Sequence, residues 1–218
     1  MIHKTALIAG ATGLVGSHLL KLLLENPYYD QVKVVTRREI KISNKKLQEI
    51  ILNFDKPEDW GDQLKADHVF CCLGTTIKKA GSKSMFKKVD LDYPVQIAKH
   101  TQSLGASAFV LISATGANSK SIFFYNQVKG ETEQAIRETG FEHFIILRPS
   151  LLLGKRQENR IFEDVGKWMF KFFDFLLFGP LKKYKGVEAS KIAAKMIAAA
   201  HELRPGERII NSQEIIEN

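Results

Sequence analysis

The stretch Gly10-Ala-Thr-Gly13-Leu-Val-Gly16 constrains this chain more than any other. It follows the apolar run Lys4-Thr-Ala-Leu-Ile-Ala9, which reads as a short buried strand. It opens into Ser17-His-Leu-Leu-Lys-Leu-Leu-Leu-Glu25, which reads as a helix with one apolar stripe. A strand, a glycine-rich turn and a helix in that order are the setting a dinucleotide fingerprint requires. Glycine tolerates the tight turn and lets backbone approach a pyrophosphate, while free N–H groups and the dipole at the helix start favour the anion. The last glycine lets the helix pack close to the strand. The spacing is G-x-x-G-x-x-G rather than G-x-G-x-x-G. The expectation is a diphosphate cradle built from Gly10, Thr12, Gly13, Leu14, Val15 and Gly16.

Further apolar runs recur between helical patterns, at residues 31–36, 49–54, 68–73, 107–113 and 143–148. Continuous apolar runs alternating with helices indicate a parallel sheet covered on both faces. Right-handed crossovers then give an α/β, doubly wound parallel sheet (a Rossmann fold) of six to seven strands, with order 3-2-1-4-5-6 and helices on both faces. Arg208-Ile-Ile-Asn-Ser212 offers a short seventh edge strand. At 218 residues, without repeats or a Pro/Gly-rich linker, the chain reads as a single domain over 1–218, with 150–186 as a small substrate, lid or interface segment.

Ligands in such sheets sit at the carboxyl ends of the strands, so the residue after each strand matters. After the second strand come Arg37 and Arg38, where an NAD site usually places an acid for the ribose 2′-OH. Guanidiniums pair instead with a 2′-phosphate, which favours NADP(H) over NAD(H). After the third, Asn53 and Phe54 could present an amide and a ring to the adenine, with Asp55 equally only a loop-starting residue. After the fourth, Leu73, Gly74 and Thr75 would bring backbone near the cofactor. After the sixth, Arg148 and Pro149 would line the carboxamide side of a nicotinamide.

Tyr125-Asn-Gln-Val-Lys129 opens a helical stretch that places phenol and ammonium on one face at i and i+4. A nearby positive charge favours phenolate, so Tyr125 could exchange a proton with a carbonyl or alcohol oxygen while the nicotinamide moves hydride. Lys129 would also reach the ribose hydroxyls. Tyr29 and Lys33 share the spacing but run into the second strand. Ser113 ends the fifth strand, where a hydroxyl could hold the substrate oxygen; Thr115 could serve if the strand continues. The catalytic expectation is therefore Ser113, Tyr125 and Lys129.

Composition excludes other classes. Apolar content of 44% and charged content of 26% suit a globular protein, and no apolar run is long enough to span a membrane. The adjacent Cys71 and Cys72 give neither a disulfide framework nor zinc spacing and read as packed thiols; the six histidines show no metal pairing. With the first strand beginning so near Met1, no signal peptide is expected, and a cytoplasmic compartment fits. The net charge of +8 would suit a polyanion, but the lysines match no nucleic-acid motif, so direct nucleic-acid binding is not expected. The aromatic stretch 161–178 suggests a pocket wall, an oligomer or partner interface, or shallow membrane contact.

The glycine turn, the serine after strand five and Tyr-x-x-x-Lys together resemble the short-chain dehydrogenase/reductase superfamily in its atypical branch. Phe70-Cys-Cys-Leu-Gly-Thr-Thr76, Val89-Asp-Leu-Asp-Tyr93, Gln127-Val-Lys-Gly-Glu131 and Leu147-Arg-Pro149 are more specific. They are similar to the Tat-interacting-protein oxidoreductase family, whose eukaryotic members are described as NADP(H)-binding regulators. The resemblance implies NADP(H) held by Gly10, Gly13, Gly16, Arg37, Gly74 and Lys129, with Ser113 and Tyr125 at the nicotinamide end. It implies either an NADP(H)-dependent oxidoreductase on a small carbonyl or alcohol, or a cofactor-sensing protein acting through a partner. The chain departs from the superfamily in carrying Asp90 where many members have an asparagine.

Overall fold

The first strand, β1 (Lys4–Ala9), is sealed on both faces from Ala6 onward, as its unbroken apolar run requires. The computed structural model describes residues 4–150, 152–153 and 186–217. Around β1 the chain adds α1 (Leu14–Glu25), β2 (Tyr29–Thr36), β3 (Leu47–Ile51), β4 (His68–Cys71), the short helices α2 (Ile77–Ala80) and α3 (Lys83–Lys87), a π-helical stretch (Lys88–Asp92) and α4 (Tyr93–Ser103). Then come β5 (Ala108–Ile112), α5 (Phe124–Arg137), β6 (His143–Arg148), β7 (Leu152–Leu153), β8 (Val187–Glu188), α6 (Ala189–His201), β9 (Gly206–Asn211) and α7 (Ser212–Ile216).

Seven strands form one parallel sheet in the order β3-β2-β1-β4-β5-β6-β9, while β7 and β8 pair separately. The doubly wound order expected from the sequence holds, and the seventh strand is the β9 edge. Register aligns the strand ends. Ala9 lies opposite Val35 and Cys71, Cys71 opposite Leu111, and Leu111 opposite Ile146. The residues that follow therefore emerge along one edge of the sheet.

Helices α1 and α6 cover one face with Leu19, Leu20, Leu23, Ile192, Ala193 and Met196. The other face packs under Trp60, Leu64, Ile97, Ala98 and Ile136. The third strand ends earlier than its apolar run suggests. Asn53 turns the chain by accepting the Asp55 amide on Oδ1 at 3.0 Å, and its carbonyl accepts Trp60 Nε1 at 3.0 Å. The aromatic stretch 161–178, and most of the 150–186 segment, lie outside the described residues.

At the opposite edge of the sheet, the Tyr29 hydroxyl meets His68 Nδ1 at 2.8 Å, fully buried beside Tyr28 and His201. Burial, then the neighbouring Tyr28 and Asp67, hold the Tyr29 phenol well above its usual range, so it stays protonated. Burial chiefly pushes His68 down to about 4 from 6.5, and nearby Lys4 adds to this. Unfolded chains then bind a proton at His68 that the folded chain refuses, so this stabilisation is full above pH 6.5 and is lost as pH falls towards 4. Stability at pH 5 should be about 2 kcal/mol below that at pH 7.5 from this residue alone. Urea midpoints across that range check it, and His68→Asn should flatten the dependence.

Candidate functional site

The turn after β1 exposes its backbone because nothing else fits. Gly13 N donates to Gly10 O at 3.0 Å, and the first helical bond runs from Ser17 N to Gly13 O at 2.9 Å. The amides of Leu14, Val15 and Gly16 precede that bond and have no helical acceptor. Gly13 caps α1 without a side-chain hydrogen bond, and the first turn holds no acid. Gly10 takes φ +87°, and a Cβ there would stand 2.6 Å from the Cys72 carbonyl oxygen. A Cβ on Gly16 would stand 2.0 Å from Gly10 O. Thus β1, the end of β4 and the start of α1 meet backbone to backbone. Uncapped amides, a positive helix end and no acid fit a diphosphate group.

Beyond β2, Arg37 and Arg38 are exposed, and neither guanidinium forms an ion pair among the described residues. The Thr36 hydroxyl donates to Arg38 O at 2.8 Å and fixes the turn. Phe54 does not offer a face to an adenine: it is buried between Trp60 and Tyr93, with ring centroids 6.1 and 5.1 Å away. An apolar ring three residues past the strand satisfies itself in the core. Asn53 remains exposed, its Oδ1 engaged in its own turn. Nearby, Asp55 accepts from the Tyr93 hydroxyl at 2.7 Å and pairs with Lys88 at 2.9 Å. These two partners hold its carboxyl below the usual range.

The other half of the site centres on Lys129. Its ammonium is buried and stands 2.8 Å from Asp90 Oδ1, while Asp90 Oδ2 accepts the Thr75 amide at 2.8 Å. Burial opposes the lysine's charge, but Asp90, with Tyr125 and Cys71 assisting, outweighs it and holds Lys129 above its ordinary range. Gly74 lies against this pair; a Cβ there would stand 3.4 Å from Asp90 Oδ1 and 3.8 Å from Lys129 Nζ. Leu73 is half-buried against the core. Asp90 sits in the π-helical stretch, which the Thr132 hydroxyl ties to α5 by donating to Asp90 O at 2.8 Å. The lysine's partner is thus the residue that departs from the superfamily pattern.

Tyr125, one helical turn before Lys129, is 41% exposed, its ring against Phe86 at 5.8 Å. Tyr29 and Lys33 form no second such pair. Both lie in β2, and Lys33 Nζ is spent on the carbonyls of Gln63 and Lys65.

The Ser113 hydroxyl turns away from solvent and donates to Glu133 Oε1 at 2.5 Å. Glu133, itself buried, takes the Arg148 guanidinium on both oxygens, at 3.0 and 2.5 Å. Arg148 is therefore committed to α5. Pro149 contributes its carbonyl, which accepts the Thr115 amide at 3.0 Å. Thr115 is exposed and donates to Arg148 O at 3.1 Å. Ser113 and Thr115 thus have different surroundings.

Two residues escaped the sequence reading. Glu133 follows Lys129 by one turn on the buried face of α5, so a carboxylate at i+4 from a buried lysine was the available signal. A Cβ on Gly130 would stand 2.1 Å from Ser119 N, so this glycine lets the 114–121 loop lie on α5. Cys71 is inert: burial pushes its thiol up to about 11.

Comparison with known proteins supports the fold and identifies a family. The sequence pattern of the NAD(P)H-binding family matches residues 10–169. The mitochondrial protein FMP52 of Candida albicans is 37% identical over 171 residues, covering 74% of this chain and 75% of that protein. Protein HTATIP2 of Rattus norvegicus is 35% identical over 181 residues, covering 81% and 73%. Among solved structures, MoeE5 in complex with UDP-glucose and NAD superposes with TM-score 0.72 at 16% identity, covering 98% of this chain and 80% of that one. A short-chain dehydrogenase family protein from Francisella tularensis gives 0.67 at 14% identity, covering 99% and 100%.

The cytoplasmic expectation is overturned, since the fmp52 relatives in Candida albicans and Emericella nidulans are named mitochondrial. Thiols that stay free suit any reducing compartment and never discriminated between them. No helix among the described residues is long and apolar enough to cross a membrane. The backbone cradle at Gly10–Gly16, the fold and the matched pattern converge: this chain belongs to the NAD(P)H-binding family, alongside FMP52 and HTATIP2.

Proposed function

We propose that the chain is an NADP(H)-dependent oxidoreductase of the short-chain dehydrogenase/reductase type, acting on a small carbonyl or alcohol. The observation that carries the reading is Tyr125, exposed one helical turn from a buried Lys129 whose ammonium lies beside Gly74. In this reading the free amides of Leu14, Val15 and Gly16 hold the diphosphate, Gly10, Thr12 and Gly13 shape the turn around it, and Arg37, with Arg38, meets the 2′-phosphate. Asn53 borders the adenine, and Leu73, Gly74 and Thr75 border the ribose and diphosphate.

Bound nicotinamide supplies or accepts the hydride. Tyr125 gives its phenolic proton to the oxygen of the carbonyl being reduced, or takes the proton from an alcohol being oxidised. Lys129 favours the phenolate that remains after reduction. Asp90 keeps that ammonium in place and ties it to the Thr75 backbone.

The substrate oxygen also needs a donor. Ser113 would have to release Glu133 inside the protein, whereas Thr115 would release one exposed hydrogen bond to Arg148 O. Breaking the exposed bond costs less, because water replaces it. We therefore assign substrate positioning to Thr115, with Ser113 holding the Glu133–Arg148 pair.

Tyr125→Phe should leave NADPH affinity unchanged and lower kcat on a carbonyl panel by about 100-fold or more. Thr115→Ala should lower kcat/KM without changing the melting temperature, and Ser113→Ala should lower the melting temperature. NADPH should bind at least about tenfold more tightly than NADH, and Arg37→Ala should erase that gap. Calorimetric titration checks the preference; equal affinities for the two nucleotides would remove the 2′-phosphate assignment.

A cofactor-sensing protein is the second reading, favoured by the commitment of the Ser113 hydroxyl to Glu133. It would bind NADPH and turn over no carbonyl in the panel, with Tyr125→Phe leaving every measured property unchanged.

A further inference from the structure

The charge of this protein is not spread evenly. Residues 74–89 hold five lysines and no acid; residues 113–129 hold two lysines and no acid. These seven account for seven of the eight net positive charges, since the remaining 25 basic and 24 acidic residues nearly cancel. Both segments follow strands that end at the Tyr125 side of the sheet edge. Lys87, Lys88 and Lys129 pair with Glu131, Asp55 and Asp90. Lys78, Lys83 and Lys120 are exposed and form no ion pair among the described residues.

Exposed apolar side chains stand in the same two segments. Ile122 is 92% and Phe123 66% exposed, and both immediately precede α5; Met85 on α3 is 43% exposed. Lys83 Nζ lies 5.1 Å from the centre of the Phe124 ring, which joins the start of α3 to the start of α5. Phe86 packs on both Phe124 and Tyr125, so the phenol borders this surface. Apolar surface of this kind beside a reactive group marks a contact region, and unpaired cations at its rim select an anion.

We propose that the ligand received at Tyr125 is an anionic amphiphile. Its apolar body lies on Ile122, Phe123 and Met85, and its carboxylate, sulfonate or phosphate is met by Lys83 and Lys120. The inference rests on the proposed function in taking Tyr125 as the reacting end, and it narrows the substrate class to carbonyl or alcohol compounds carrying both an apolar body and an acidic group.

Two fluorescent probes with the same aromatic body test it: 1-anilinonaphthalene-8-sulfonate and its uncharged counterpart N-phenyl-1-naphthylamine. Each is titrated into the full chain saturated with NADPH. The sulfonate should bind at least about tenfold more tightly at low salt, with the gap closing as salt rises. Lys83→Glu with Lys120→Glu should bring its affinity down to that of the neutral probe, with folding verified by melting temperature. Ile122→Ser with Phe123→Ser should weaken both probes. Equal affinities at low salt, or a sulfonate preference that survives the charge reversal, would overturn the proposal. Neither probe needs turnover. A chain that reduces no carbonyl but shows the charge-dependent gap loses the reductase reading and keeps this one; a reductase without the gap does the reverse.

Discussion

Gly16→Ala should abolish measurable NAD(P)H binding and destabilise the fold together. The added Cβ would stand 2.0 Å from Gly10 O, 2.8 Å from Gly10 C and 3.0 Å from Ala11 Cα. All three are backbone atoms, so no side chain can swing aside. The start of α1 must lift off the turn, and Gly10 cannot retreat because the Cys72 carbonyl stands behind it. Overpacking of this kind costs about 3 kcal/mol, worth roughly 6–12 °C in melting temperature for a chain of this length. Each lost amide–phosphate bond removes about 1.5–3 kcal/mol, so losing two lowers affinity at least about 100-fold. His68→Asn is the control: it disturbs the opposite edge of the sheet and should keep its affinity for NADPH. Gly16→Ala retaining tight binding would mean that the nucleotide sits elsewhere.

The second large effect belongs to Asp90→Leu. It leaves the Lys129 ammonium buried with no countercharge and removes the acceptor of the Thr75 amide. Breaking a buried pair from one side costs about 3–5 kcal/mol, against a much smaller cost when both charges go. Asp90→Leu should therefore melt about 6–20 °C below the parent, and Asp90→Leu with Lys129→Met should recover most of that loss. Thermal melts of the two singles and the double complete the cycle. Additive losses would show that the two groups do not interact across their 2.8 Å gap.

How far the sequence reveals this molecule depends on whether a feature is local. Apolar runs such as Lys4–Ala9 and His143–Arg148 carry their own evidence of burial on two faces, and both strands have those bounds. The glycine turn is equally local, because its spacing and its setting lie within one segment. Tyr125 and Lys129 share a helix, so their common face could be read from spacing alone. Contacts between distant segments could not. Nothing in the residues around Ser113 reveals that its hydroxyl finds Glu133, nor that Glu133 also holds Arg148 from the next strand. Asp90 stands out in the sequence as a departure from the superfamily pattern, but its pairing with Lys129 depends on how the π-helical stretch meets α5. Phe54 reads as a free ring only until Trp60 and Tyr93 are seen to enclose it.

We propose that backbone amides at the start of α1 grip the diphosphate of NAD(P)H. Amide nitrogen–proton spectra recorded during an NADPH titration test it most directly. The largest, saturable shifts should fall at Leu14, Val15 and Gly16, with Thr12, Gly13, Gly74 and Thr75 next. Saturable binding that leaves those three amides unmoved would rule this grip out.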